Sequence, residues 1–150
     1  MLIRRVLVFV LVSIWSATIH AGPREDAIAH YEKFFSNFTT DNHDQITSLF
    51  SPDAWFYGTI APQAVTSHTG IRAYFEKALS RTRGEVKANL FRTTATMLSD
   101  DVVIVTAEWQ SERTLDGKMT TNGPSRNTSV LHKRDGEWFI VQFHNSWVPK

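Results

Sequence analysis

The sequence predicts an α+β domain in which helices come first and a meander of long antiparallel strands closes the chain. Three observations carry that expectation. Apolar residues recur at helical spacing over residues 24–39 and again over 70–79. From Val86 the pattern changes to alternation, with Val103, Val105, Ala107 and Trp109 on one strand face and Ile104, Thr106, Glu108 and Gln110 on the other. Two β-type runs then flank Asp135-Gly136, a pair suited to a type I′ hairpin turn because both central residues need positive φ. An order of this kind buries its apolar faces by gathering the helices on one face of an antiparallel sheet.

Taken in order, residues 1–21 read as a secretory signal peptide. Arg4 and Arg5 precede the apolar run Val6 to Ile14, and the segment ends Ile19-His20-Ala21 with a small residue at the expected cut. The apolar run is too short to cross a hydrocarbon core of roughly 30 Å. Cleavage after Ala21 leaves residues 22–150, or 129 residues, as one domain bound for the periplasm or the exterior. A chain of that size buries roughly two-thirds of its unfolded surface and needs no staples. With no cysteine, disulfides, thiolate metal sites and cysteine nucleophiles are excluded. Losing Arg4 and Arg5 leaves 14 basic residues against 15 acidic, a formal charge of −1. No basic stripe is present, which argues against a nucleic-acid partner, and once the signal is removed no membrane contact is expected. Asn37-Phe38-Thr39 and Asn127-Thr128-Ser129 match the glycosylation sequon, a short pattern that carries little by itself.

Ala27, Tyr31, Phe34, Phe35 and Phe38 give the first helix its apolar stripe, read as core. Asp44 is positioned to cap a second, short helix running to Phe50, with Ile46, Leu49 and Phe50 inward. Ser51-Pro52-Asp53 stops it, since the residue before proline avoids helical backbone. Ala54 to Gly58 reads as a short aromatic strand holding Trp55, Phe56 and Tyr57. Thr59 to Thr69 has no apolar period and reads as a loop long enough to serve as a lid. Gly70 to Leu79 forms the third helix, with Ile71, Tyr74, Phe75, Ala78 and Leu79 inward. Strands follow over Val86 to Met97, Val102 to Arg113, and Met119 to Arg134, the last interrupted near Gly123-Pro124 because proline cannot donate to a central ladder. The final run, Glu137 to Asn145, is apolar at nearly every position and should be an inner strand covered on both faces.

The chemistry-bearing residues are few. His144 lies near the end of the last strand, where a cone would open, and an imidazole there suits acid-base work near neutral pH. A histidine bonded to backbone in the core is the structural alternative. His30, His43 and His68 are scattered, and His132 precedes a charged turn. No two histidines share a ligand spacing, so no metal is expected. Asp53, Asp101 and Glu108 are the carboxylates considered for proton transfer, but no pair of carboxylates is spaced as an acid and a base. Gly123-Pro124-Ser125 lacks the strand-turn-helix context of a nucleophile elbow. Arg72 is spaced to pair with Glu76, four residues on. Trp109 reads as core, and Tyr57 as an amphipathic ring able to hydrogen-bond a ligand.

His132-Lys133-Arg134-Asp135-Gly136-Glu137-Trp138, followed by Ile140-Val141-Gln142-Phe143-His144-Asn145-Ser146 and Pro149, resembles the final hairpin of the association (hub) domain of calcium/calmodulin-dependent protein kinase II. More broadly it resembles the SnoaL-like, NTF2-like superfamily, including secreted bacterial members of the SgcJ/EcaC type. Phe56-Tyr57-Gly58-Thr59 and Gly70-Ile71-Arg72-Ala73-Tyr74-Phe75-Glu76 extend the resemblance over roughly residues 24–149. It implies a cone: a curved antiparallel sheet with three N-terminal helices packed on its concave face, a pocket between them, and dimerisation through the outer face. The set Ile104, Thr106, Glu108 and Gln110 suits such an interface. The hub's cavity arginines and helix histidine do not carry over, because Ser129, Asn145 and Ile71 stand at those positions.

The superfamily hosts isomerases, cyclases, dehydratases and plain binding modules, so fold does not select among them. The favoured expectation is an exported, non-catalytic small-molecule-binding or homo-oligomeric assembly module without cofactor or metal. Its expected ligand residues are Tyr57, Arg72, Trp109, Ser129, His144 and Asn145. One alternative is a small-molecule enzyme using His144 with Tyr57 or Asn145. The other is a periplasmic partner-binding protein with no pocket function.

Overall fold

The structure, a computed structural model, describes residues 22–80 and 84–149. The expected signal peptide falls outside the described residues. The chain runs α1 (Pro23–Thr39), α2 (His43–Ser48), β1 (Phe50–Tyr57), α3 (His68–Ser80), β2 (Glu85–Met97), β3 (Val102–Leu115), β4 (Lys118–Arg134) and β5 (Glu137–Trp147). Pro23 opens α1 where its missing N–H is not needed, and Glu25 and Asp26 meet the positive end of the helix. Asp41, at φ 55°, turns the chain out of α1. The cap of α2 is Asn42 rather than Asp44: its side chain accepts from the Gln45 N–H at 3.1 Å. Asp44 lies two residues beyond the cap, inside the first helical turn, and instead pairs with Arg72.

The five strands form one curved sheet in the order β1-β5-β4-β3-β2. The meander β2 to β5 is antiparallel, and β1 is added parallel to β5 at the edge. That strand begins earlier than the sequence suggests. Its ladder breaks between Phe50 and Trp55, so Pro52 sits where no ladder N–H is asked for. Gly123-Pro124 is accommodated in the same way, beside a register shift between Trp109 and Ser111, and β4 runs through it. Both hairpin turns, Asp116-Gly117 and Asp135-Gly136, have positive φ at both residues, as type I′ requires.

The helices cover one face of the sheet. Phe34 of α1 is the centre of the packing, with ring centroids 5.2 Å from Phe143, 5.7 Å from Phe75 and 6.2 Å from Trp109. Phe56 stacks on Phe143 at 5.1 Å and 14°. Edge-to-face contacts predominate elsewhere, the arrangement ring quadrupoles favour.

A bulge in β5 sets what faces the helices. Leu131 pairs with Ile140 and Val130 with Gln142, so Val141 is an extra residue on the β5 side. Before it Trp138 and Ile140 are buried; after it Phe143 and Asn145 are. Without the bulge, strict alternation from Ile140 would turn Gln142 and His144 inward. The last strand is therefore an inner strand, but its second face is not covered: Val141 and Gln142 are half-buried and His144 is exposed.

Candidate functional site

The buried side chains of the sheet change character along the strands. At one end they are Val103, Val105, Leu131 and Ile140; toward the other they become Asn127, Ser129, Ser125, Asn145 and Ser111, with Arg113 beyond. Buried polar groups need partners, and two amides supply most of them. Asn127 Oδ1 accepts from the Tyr31 hydroxyl at 2.6 Å and from the Ser129 hydroxyl at 2.8 Å, while its Nδ2 donates to the His144 carbonyl at 3.0 Å. Burial pushes the Tyr31 phenol's pKa up, so it remains a donor. Asn145 Oδ1 accepts from the Trp109 indole N–H at 2.8 Å, and its Nδ2 donates to the Thr59 hydroxyl at 2.5 Å.

Over Asn145 opens a cavity of about 230 Å³. Its floor is aromatic, built from Phe34, Phe38, Phe56, Phe75, Trp109 and Phe143. Asn145, Ser125, Ser111, Asn122 and Thr59 contribute the polar atoms, and Arg113 is the only guanidinium among the described lining residues. Gly58 brings the backbone close to the Tyr74 ring; a Cβ there would lie 2.2 Å from Tyr74 Cζ. The Tyr74 hydroxyl receives the Ile60 N–H at 3.5 Å, and burial raises its pKa. The expected lid loop is tied down at its far end, where Phe56 and Val65 exchange backbone hydrogen bonds, both 2.9 Å. Thr59 and Ile60 at its near end line the cavity.

The six residues expected to hold a ligand are not brought together. Trp109 and Asn145 line the cavity and bond each other. Ser129 is fully buried, its hydroxyl committed to Asn127. Tyr57 and His144 lie side by side on the other face of the sheet, ring centroids 5.9 Å apart. The Val141 bulge is the reason His144 faces outward. Arg72 is on the helix surface, its Nε 2.6 Å from Asp44 and its Nη1 3.0 Å from Glu76. The Arg72 hydrogen bond holds the Asp44 carboxyl below its ordinary range. Among the carboxylates weighed for proton transfer, Asp53 pairs with Arg134, Glu108 with Arg92, and Asp101 lies 3.7 Å from His132. Among the described residues, no three His, Asp or Glu side chains are grouped as metal ligands. Sequence reasoning missed Arg113 and Asn127, since polar residues in strands read as surface; the inward alternation that flags Trp109 also reaches Ser111 and Arg113.

Comparison with known proteins places this architecture. Residues 28–150 match the profile of the SnoaL-like domain. The chain belongs to the SnoaL-like family. A Xanthomonas campestris protein provisionally named a calcium/calmodulin-dependent protein kinase II association domain superposes with a TM-score of 0.72 at 27% identity, over 82% of this chain and 86% of that one. An NTF2-like protein from Novosphingobium aromaticivorans gives 0.70 at 15% identity, over 83% and 80%. A Streptomyces avermitilis protein provisionally named a dehydratase of the NTF2-like family gives 0.73 at 12%, over 84% and 96%. The last two likenesses concern the fold alone. The rabbit (Oryctolagus cuniculus) calcium/calmodulin-dependent protein kinase type II subunit delta is 32% identical over 79 residues, 52% of this chain. The match spans only 15% of that kinase's length. The SnoaL-like cavity of this chain, between α1, α3 and the polar end of the sheet, is where its candidate chemistry is concentrated. No helix among the described residues is long and apolar enough to cross a membrane.

Proposed function

We propose that this SnoaL-like chain is an exported, non-catalytic module that binds a small molecule in the cavity over Asn145. The observation that carries the reading is the composition of the cavity wall. An apolar, aromatic enclosure with a few convergent polar groups is the usual make-up of a ligand site. Among the described residues lining it, no carboxylate and no imidazole is present to move a proton near neutral pH. Its volume, about 230 Å³, falls below the roughly 300–1,000 Å³ of drug-sized sites and suits a small substituted ring. Export rests on residues 1–21.

Native mass spectrometry of the chain purified from its own host tests the proposal. A bound molecule of low mass is expected, and Ala78→Phe, which fills the cavity from α3, should eliminate it. A substrate turned over by the wild-type chain and not by Tyr74→Phe would overturn the non-catalytic reading.

A second reading, self-association through the outer sheet face, is favoured by one observation. Trp55 and Tyr57 are 55% and 40% exposed on that face, with His144 beside Tyr57 and the polar Thr106 and Glu108 farther across the sheet. Exposed aromatics in a polar surround are common in interface cores.

A further inference from the structure

Arg113 stands out among the groups around the cavity. It pairs with Val86 of β2 and Thr120 of β4, two residues beyond Ser111 on the inward row of β3. Its Nη2 donates to the Ala78 carbonyl of α3 at 3.4 Å, a long bond. Its Nη1 is buried with no hydrogen-bond partner among the described residues. Burial pulls its pKa down from the ordinary value, and the charge of Asp41 acts in the opposite direction. Asp41 lies outside the cavity wall, and the described residues of the wall include no carboxylate. Four of the other described arginines, Arg24, Arg72, Arg92 and Arg134, each meet an acidic side chain, and Arg126 donates to the Ser146 hydroxyl on the outer face. Arg113 is half-buried; a guanidinium stays charged in a protein, and its buried Nη1 has no partner among the described residues to replace lost hydration. The other titratable group among the described lining residues is Tyr74, which burial keeps neutral. The cavity thus carries a positive charge at its polar end, over an aromatic floor.

We infer that the cavity takes a small carboxylate with an apolar or aromatic body, its anionic head at Arg113 and its body against Trp109 and Phe143. Ser111 and Asn122, which line the same end, offer neutral donors to the second carboxylate oxygen. The inference rests on the cavity being the ligand site and adds the ligand's charge.

Isothermal titration calorimetry with benzoate, cyclohexanecarboxylate and their uncharged amides tests it on the wild-type chain. Each acid should bind at least tenfold more tightly than its amide. Arg113→Gln should remove most of that preference while leaving amide binding in place. Without ligand, Arg113→Met should melt close to the wild-type temperature, because the half-buried guanidinium makes one long hydrogen bond and methionine keeps the apolar stem. Equal affinity for acid and amide overturns the inference and leaves the binding reading standing. A marked fall in the melting temperature of Arg113→Met overturns it too, by making the guanidinium structural. If none of the four probes binds and Ala78→Phe changes nothing that co-purifies, the binding reading falls with it.

Discussion

Two buried amides, Asn127 and Asn145, reconcile an apolar sheet face with a polar cavity. Asn127 accepts from two hydroxyls at once, so Asn127→Ala orphans Tyr31 and Ser129 together. A buried donor left unpaired costs about 1–3 kcal/mol, and urea unfolding should show a loss of at least that size. Tyr31→Phe is the gentler change, at about 0.5–1.5 kcal/mol, since Ser129 still serves the same amide oxygen. Asn127 is 3% exposed, so its sequon is closed to a glycosyl transferase in the folded chain. Gly58→Ala drives a methyl into the Tyr74 ring, and overpacking of this kind costs about 1–3 kcal/mol. Because both residues line the cavity, the same variant should also weaken ligand binding, read by calorimetry. At this scale the sequence was informative where alternation is strict, as at Trp109. It was silent where a polar side chain turns inward to serve another, as Asn127 does for Tyr31.

The elements themselves were largely legible, because α1 and α3 carry wide apolar stripes and both hairpins carry Asp-Gly. The misplaced details have local causes. Asn42 and Asp44 are both good caps by type, and only the geometry of the turn after Asp41 chooses between them. Asn42→Ala should cost about 0.5–2 kcal/mol in chemical denaturation, whereas Asp44→Asn, which removes only an exposed ion pair, should leave stability nearly unchanged. Helix α1 also contains a pH-sensitive group. Burial holds the His30 imidazole below its ordinary pKa of 6.5, while its Nε2 donates to the Leu49 carbonyl at 3.3 Å. As pH falls through 6.5, the unfolded chain takes up this proton before the folded one. Stability therefore drops with pH between 6.5 and the lower folded-state value, and rises again on return. His30→Gln keeps a donor and removes the titration. Melting temperatures measured from pH 7 to pH 5 should fall less steeply for that variant than for the wild type.

For the molecule as a whole, the assembly reading rests on the uncovered outer face of the sheet. Sedimentation at micromolar concentration is expected to show a dimer or larger, and Trp55→Glu to shift it toward monomer. A wild-type chain that sediments as a monomer would remove the second reading and leave the cavity untouched, since Trp55 and the cavity wall lie on opposite faces. The bulge at Val141 has a further consequence for reading relatives of this chain. It works as a parity switch: one inserted residue exchanges inside and outside for everything after it in β5. Two SnoaL-like proteins can then share a histidine in the same alignment column while one points it at a ligand and the other at solvent. Carrying a catalytic role from one to the other is sound only when both chains have the bulge or both lack it. The residues flanking position 141, rather than the histidine, are the place to look before a reaction is assigned.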